Sequence, residues 1–211
     1  MNQETLSQAA YRRLREDIAS QKIAPNSAFT EIELARALDI SRTPLRAALS
    51  RLQREGVIER QAGATVLVRA ITVDKLLEIL LLRKVLERAA AERVAERRGL
   101  TPELEAVRRD TSRLLEGTPD FGEFWDKDEA FHLEVAKAAE LTILPVILTE
   151  QRAIVRRCTI IRTHTRFDDQ LREHLDVLDA IEARDPAAAR AAMSLHFDNM
   201  RTRSLGTLPG P

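Results

Sequence analysis

The chain of 211 residues is 44% hydrophobic and 31% charged, and its 33 Lys/Arg balance 33 Asp/Glu, the make-up of an ordinary folded protein of one large or two modest domains. No apolar run is long and charge-free enough to span a bilayer, and the start, Met1-Asn2-Gln3-Glu4, lacks the basic and apolar regions of a signal peptide. A single cysteine, Cys158, excludes an internal disulfide framework and fits a reducing, cytoplasmic setting; its expected role is that of a small residue buried in a helix.

Scarce aromatics and abundant Leu, Ala, Arg and Glu favour helix. Residues 5–21 carry Leu6, Ala10, Leu14 and Ile18 at helical spacing, and Ile23-Ala-Pro25-Asn-Ser27 interrupts the pattern. Thr30 and Glu33 predict a capping box for a helix that turns Leu34, Ala35 and Leu38 inward. Asp39-Ile40 make a tight turn. Ser41 is the expected N-cap of a second helix, with Pro44 in its first turn and Leu45, Ala48, Leu49 and Leu52 as its inward stripe. Arg42, Thr43 and Arg46 are left on the outer face near its N-terminus. Gly56 ends this helix. Val57–Arg60 and Thr65–Val68 are β-rich runs around Gln61-Ala62-Gly63-Ala64 and predict a short hairpin, with Gly63 supplying the positive φ at its tip. Two short helices, a tight turn and a hairpin "wing" place one basic helix where it can enter a DNA major groove. Arginine there can pair with guanine in bidentate fashion, and threonine can meet a phosphate or a thymine methyl. An ordinary amphipathic helix pair with solvated arginines is the competing reading.

Residues 72–204 show only helical periodicity. Thr72 caps a long helix to about Arg98, with Leu76, Ile79, Leu80, Arg83, Leu86, Ala90 and Val94 along it, and Gly99 stops it. Thr101-Pro102 starts the next, to about Glu116; Gly117-Thr-Pro-Asp precedes a helix near 121–139. Further helices fit 142–165, 168–184 and 187–204, the last started by Asp185-Pro186. About six helices and no convincing strand predict an all-α antiparallel bundle for residues 71–204, with a flexible tail at 205–211. Residues 1–70 hold 11 Lys/Arg against 8 Asp/Glu, whereas 71–211 hold 22 against 25. A basic front and an acidic back suit a nucleic-acid reader joined to a domain that does not bind nucleic acid.

Within the predicted bundle, Asp128 and His132 are four apart and share a helix face. His174 and His196 lie on later helices, each inside an apolar pattern. Three imidazoles and a carboxylate suit a divalent transition metal with open positions for water or a ligand. The bland alternative is a set of packed or solvated histidines.

Ile40-Ser-Arg-Thr-Pro-Leu-Arg46-Ala-Ala-Leu49, followed by Leu52-x-x-Glu55-Gly-Val-Ile58, closely resembles the DNA-binding domain of the GntR superfamily of bacterial transcription regulators over residues 5–70. The resemblance implies DNA contacts at the positions of Arg36, Arg42, Thr43 and Arg46, and approach of the wing at Gly63 to the minor groove. Many relatives carry extra basic residues just before that glycine; this chain has Gln61-Ala62, which implies a leaner wing. Asp128-Glu-Ala-Phe131-His132, Glu173-His174 and His196 are similar to the ligand set of the FCD domain of the FadR subgroup, and Leu82-Arg83-x-x-Leu86-Glu87 also resembles it. That likeness implies a metal at Asp128, His132, His174 and His196, zinc first and nickel, manganese or iron as alternatives. It also implies a small carboxylate effector anchored there and paired with Arg83. A helix-surface salt bridge with Glu87 is the other role open to Arg83. His164 matches no ligand position, and six helices point to the VanR-like branch. The expectation is thus a homodimeric transcription regulator, a repressor released by a small organic acid from a roughly palindromic double-stranded operator, not an enzyme and not at a membrane. A metal-dependent hydrolase and a metal-free ligand-binding regulator are the competing functions.

Overall fold

The structure is a computed structural model that describes residues 4–156 and 167–206. Cys158 and His164, and the end of the helix expected to reach 165, lie outside the described residues. The chain divides into two compact units after Ile71.

The first unit opens with α1, Leu6–Ala19, capped by Thr5. A three-residue strand, β1, Ala28–Thr30, leads directly into α2, Glu31–Leu38. The capping box forms as expected: Thr30 Oγ1 accepts from the Glu33 amide at 3.2 Å and the Thr30 amide donates to Glu33 Oε2 at 2.7 Å. Asp39 takes the left-handed conformation, φ 53°, which lets the chain turn sharply into α3, Arg42–Arg54. Ser41 is the N-cap of α3, as expected, although its side chain makes no capping hydrogen bond. The end of α3 is closed by Gly56 at φ 67°, with the Gly56 amide on the Gln53 carbonyl at 3.0 Å and the Val57 amide on the Leu52 carbonyl at 2.9 Å.

Strands β2, Ile58–Gln61, and β3, Thr65–Val68, form the wing. β3 also pairs antiparallel with β1, Phe29 opposite Val66, so the sheet order is β1-β3-β2. Sequence periodicity missed β1, because three residues are too few to show an alternation. Leu14, Ile18, Leu34, Leu45, Leu49, Leu52, Ile58, Val66 and Val68 form one buried core, which ties α1, α2, α3 and the sheet into a winged helix-turn-helix. Each fully buried aliphatic side chain there contributes about 1.5–3 kcal/mol.

The second unit is a helical bundle of α4, Val73–Arg97, α5, Pro102–Leu115, α6, Phe121–Ala138, α7, Leu144–Val155, α8, Asp168–Glu182, and α9, Pro186–Gly206. Thr72, Thr101 and Asp120 cap α4, α5 and α6 through their side chains, and the Asp185 side chain accepts from the Ala188 amide at the start of α9. The central element is α4, which packs along α9 and against α6, α7 and α8. Its buried stripe runs Leu76, Ile79, Leu80, Arg83, Glu87, Ala90, Ala91, Val94 and Ala95. Leu86, expected inward, is half-buried; the four-residue spacing puts Glu87 in the core instead.

Candidate functional site

In the first unit, Arg42, Thr43 and Arg46 are exposed on one face of the N-terminal half of α3, and Arg36 is exposed on α2. Farther along α3, Arg51 serves the fold: it stacks 3.7 Å from the Tyr11 ring centre and donates to Glu55 at 3.1 Å. Gly63 has φ 76°, and a side-chain carbon there would meet nothing within 4 Å. The wing tip is therefore open to a close approach from outside. Arg46 is exposed but not unattached. Its Nε donates to Oε2 of Glu31 at 2.8 Å, and Arg60 Nη2 donates to the other oxygen of the same carboxylate.

In the bundle, the four-residue spacing of Asp128 and His132 on α6 brings both to the face toward α4, α8 and α9. His132, His174 and His196 are fully buried, and their ligand nitrogens all lie within 4.8 Å of one another. Asp128 stands beside them, with Oδ1 3.4 Å from His174 Nε2 and 3.7 Å from His132 Nε2. All four sequence-derived ligand candidates thus converge. Asp128 has a second partner that sequence reading missed: Arg152 of α7, itself buried, donates Nη2 to Oδ2 and lies over the Trp125 ring at 4.7 Å. Leu144, Leu148, Arg152 and Val155 form one buried stripe, so the helical spacing already placed Arg152 inside.

Arg83 is completely buried, not on a helix surface. Its Nε donates to Glu87 Oε1 at 2.7 Å, and Glu87 Oε2 bonds His132 Nδ1. On the opposite side, Glu173 Oε2 lies 2.9 Å from His196 Nδ1, and the same carboxylate accepts from Asn199 and in bidentate fashion from Arg203. Burial opposes the ionised form of both carboxylates. The Arg83 guanidinium and the hydrogen bonds from Arg83 and His132 together outweigh it at Glu87, the hydrogen bonds from Arg203, His196 and Asn199 do so at Glu173, and each pKa is held at about 2. Burial likewise opposes the charge on Asp128, and Arg152 together with His132 and His174 outweighs it, keeping the carboxyl well below its ordinary range. An ionised carboxylate only accepts hydrogen bonds. Nδ1 of His132 and of His196 must therefore carry the hydrogen, and each ring turns its Nε2 into the cluster, the nitrogen through which its neutral tautomer ligates a metal.

Those inward nitrogens test whether a metal fits. His132 Nε2, His196 Nε2 and both nitrogens of His174 are buried without a hydrogen-bond partner among the described residues. Each unsatisfied buried group costs about 1–3 kcal/mol, a cost that coordination to a cation removes. Three converging imidazoles, two of them oriented by outer carboxylates, fit a divalent transition metal.

Burial holds His174 well below the ordinary imidazole pKa of 6.5 and lowers His196 as well. The unfolded chain therefore binds more protons than the folded one as pH falls below that value, so stability must drop in the same direction. The thermal midpoint of metal-free protein is expected to decline from pH 7 to pH 5, and substitution of His174 by Gln should flatten that decline. Glu87 and Glu173, ionised down to about pH 2, add a second loss only below the ordinary carboxyl pKa of 4.5.

Residues 6–68 match the family model of the bacterial regulatory proteins of the gntR family, and residues 78–199 match the FCD domain. The Nta operon transcriptional regulator of Aminobacter aminovorans is 32% identical over 191 residues, covering 86% of this chain and 88% of that protein. The HTH-type transcriptional repressor RspR of Escherichia coli is 25% identical over 201 residues, covering 92% and 87%. Among solved structures, that of E. coli McbR/YncC has a TM-score of 0.75 at 18% identity and covers 96% of this chain and 98% of that one, a likeness of fold.

Proposed function

Because the chain belongs to the GntR family of bacterial regulatory proteins and carries an FCD domain behind its winged helix, we propose that this DNA-binding transcription regulator is a homodimeric repressor. A small organic acid, held at a divalent metal in the bundle, releases it from a roughly palindromic operator. The observation that carries the reading is the set of four buried imidazole nitrogens around Asp128 that have no hydrogen-bond partner among the described residues. The relatives' printed names describe regulators and repressors, which favours this reading over a hydrolase.

His132, His174, His196 and Asp128 are the ligands in this proposal, with zinc the first candidate and nickel, manganese or iron the alternatives. The ion, when bound, supplies a positive anchor for a carboxylate oxygen. Glu87 and Glu173 hold His132 and His196 in the ligating orientation. The formal charges of Arg83 and Arg152 cancel those of Glu87 and Asp128, so the protein leaves the charge of a divalent ion to be neutralised by an anionic ligand. Arg83 Nη2 and Arg152 Nε and Nη1 have no hydrogen-bond partner among the described residues and offer the donors a carboxylate needs. Arg36, Arg42, Thr43 and Arg46 read the operator, and Gly63 brings the wing to the minor groove. Two-fold symmetry of the dimer matches the palindrome, and a few kcal/mol of differential affinity is enough to shift the population off DNA.

A thermal-shift screen of small hydroxy and dicarboxylic acids, run on zinc-loaded and chelated protein, tests the reading. At roughly a hundred times its Kd a true effector adds about 2.7 kcal/mol, or about 5–10 °C for a chain of this size, and only when the ion is present. No acid that shifts the loaded protein, or an equal shift after chelation, contradicts it.

A further inference from the structure

Glu31 is the buried charged residue of the winged-helix unit among the described residues, 4% exposed. It stands at the first position of α2, where the helix dipole favours a carboxylate. Its two oxygens are divided between two elements: Oε2 takes Arg46 Nε from α3 and Oε1 takes Arg60 Nη2 from β2. The Arg46 side chain is nevertheless 57% exposed, and that of Arg60 28%. Both cations are gripped at one atom and presented outward with the rest of the guanidinium.

We propose that Glu31 is a positioning residue for sequence discrimination, which fixes the recognition-helix Arg46 against base edges and the wing's Arg60 against a neighbouring phosphate. Holding Arg46 by Nε leaves its Nη1 and Nη2 as a fork, the geometry that meets guanine O6 and N7. A guanidinium free to swing finds phosphates at any sequence; one held through Nε reaches them less well. Arg60 supplies the cation that Gln61 and Ala62 do not. The carboxylate also lowers the charge of the trio to a formal +1, which restrains attraction to the DNA backbone.

The clamp has a consequence that a role in folding alone does not. Losing the carboxylate charge should strengthen binding to arbitrary DNA while weakening preference for the right sequence. The proposal rests on Arg46 as a base reader, so the full-length protein is compared with three variants. Two duplexes of equal length are used, one selected by the wild-type protein from a random pool and one with the same bases shuffled. Glu31→Gln should bind the shuffled duplex about threefold more tightly or better, with a log–log salt slope steeper by about one. Its preference for the selected duplex should fall by about tenfold or more. Arg60→Gln, which leaves Arg46 on Glu31, should make the slope shallower by about one on both duplexes and keep most of the preference. Arg46→Ala should lose the preference. A Glu31→Gln protein with wild-type preference, or one weakened equally on both duplexes, overturns the clamp while Arg46→Ala still loses preference. Unchanged salt slopes for Arg60→Gln remove Arg60 from the clamp and overturn it too. An undiminished preference in Arg46→Ala overturns both the clamp and the reader assignment beneath it.

Discussion

Substituting His174 by alanine should leave the purified protein with less than about a tenth of an equivalent of transition metal, against about one equivalent for the wild type. Both nitrogens of His174 lack a hydrogen-bond partner among the described residues, and its ring is stacked on Phe131 at 4.0 Å with the rings 15° from parallel. It comes from α8, whereas the other two imidazoles come from α6 and α9, and α8 carries no second histidine to replace it. Loss of an outer hydrogen-bond partner costs about 10–100-fold in metal affinity, and loss of a direct ligand should exceed the upper end of that range. The metal-free variant should remain folded, since removing a buried, unsatisfied nitrogen offsets part of the packing lost with the ring. Elemental analysis after purification without added metal, with zinc titration as a check, measures this. Wild-type metal content in His174→Ala contradicts the assignment of this residue as a ligand.

The second large effect is at Arg152. Methionine in its place leaves Asp128 buried, ionised and short of its strongest partner. Breaking one side of a buried ion pair costs about 3–5 kcal/mol, which in a chain of this size lowers the thermal midpoint by on the order of 10 °C. The cation stacked on Trp125 adds to the loss. The loss should be greatest in metal-free protein, because an ion bound at the histidines offers Asp128 another positive neighbour. Adding Asp128→Asn to Arg152→Met should recover much of the metal-free stability. A single variant that melts within about 1 °C of wild type, or a double variant no better than the single, contradicts the pairing as the source of stability.

The two helices of the reader, their capping box and the hairpin were legible because each rests on local chemistry: Thr30 with Glu33, Gly56 after α3, and β-branched runs on either side of Gly63. The bundle was legible in its helices and in its three histidines, since Asp128 and His132 share a face by spacing alone. What sequence reading lost were charged residues on buried stripes. Glu87, four residues after Arg83, and Arg152, four after Leu148, keep the helical period but were not read as core. Charges are rarely buried without partners, and their partners lie on other helices. Glu31 escaped notice for the same reason: Arg46 is 15 residues away and Arg60 is 29. Ser41 was legible as the N-cap of α3, but its hydrogen bonding was not: its side chain makes no capping bond.

In the proposed mechanism the buried cluster decides whether the reader holds DNA. Fluorescence anisotropy of a labelled duplex, selected by the protein from a random pool, tests it with the acid found by thermal shift. In zinc-loaded wild type, saturating acid should weaken duplex binding by about tenfold or more, a coupling of about 1.4 kcal/mol. In chelated protein and in His174→Ala the same acid should leave duplex affinity unchanged. Equal release with and without the ion, or no release from the loaded protein, would contradict control of DNA binding by the buried cluster.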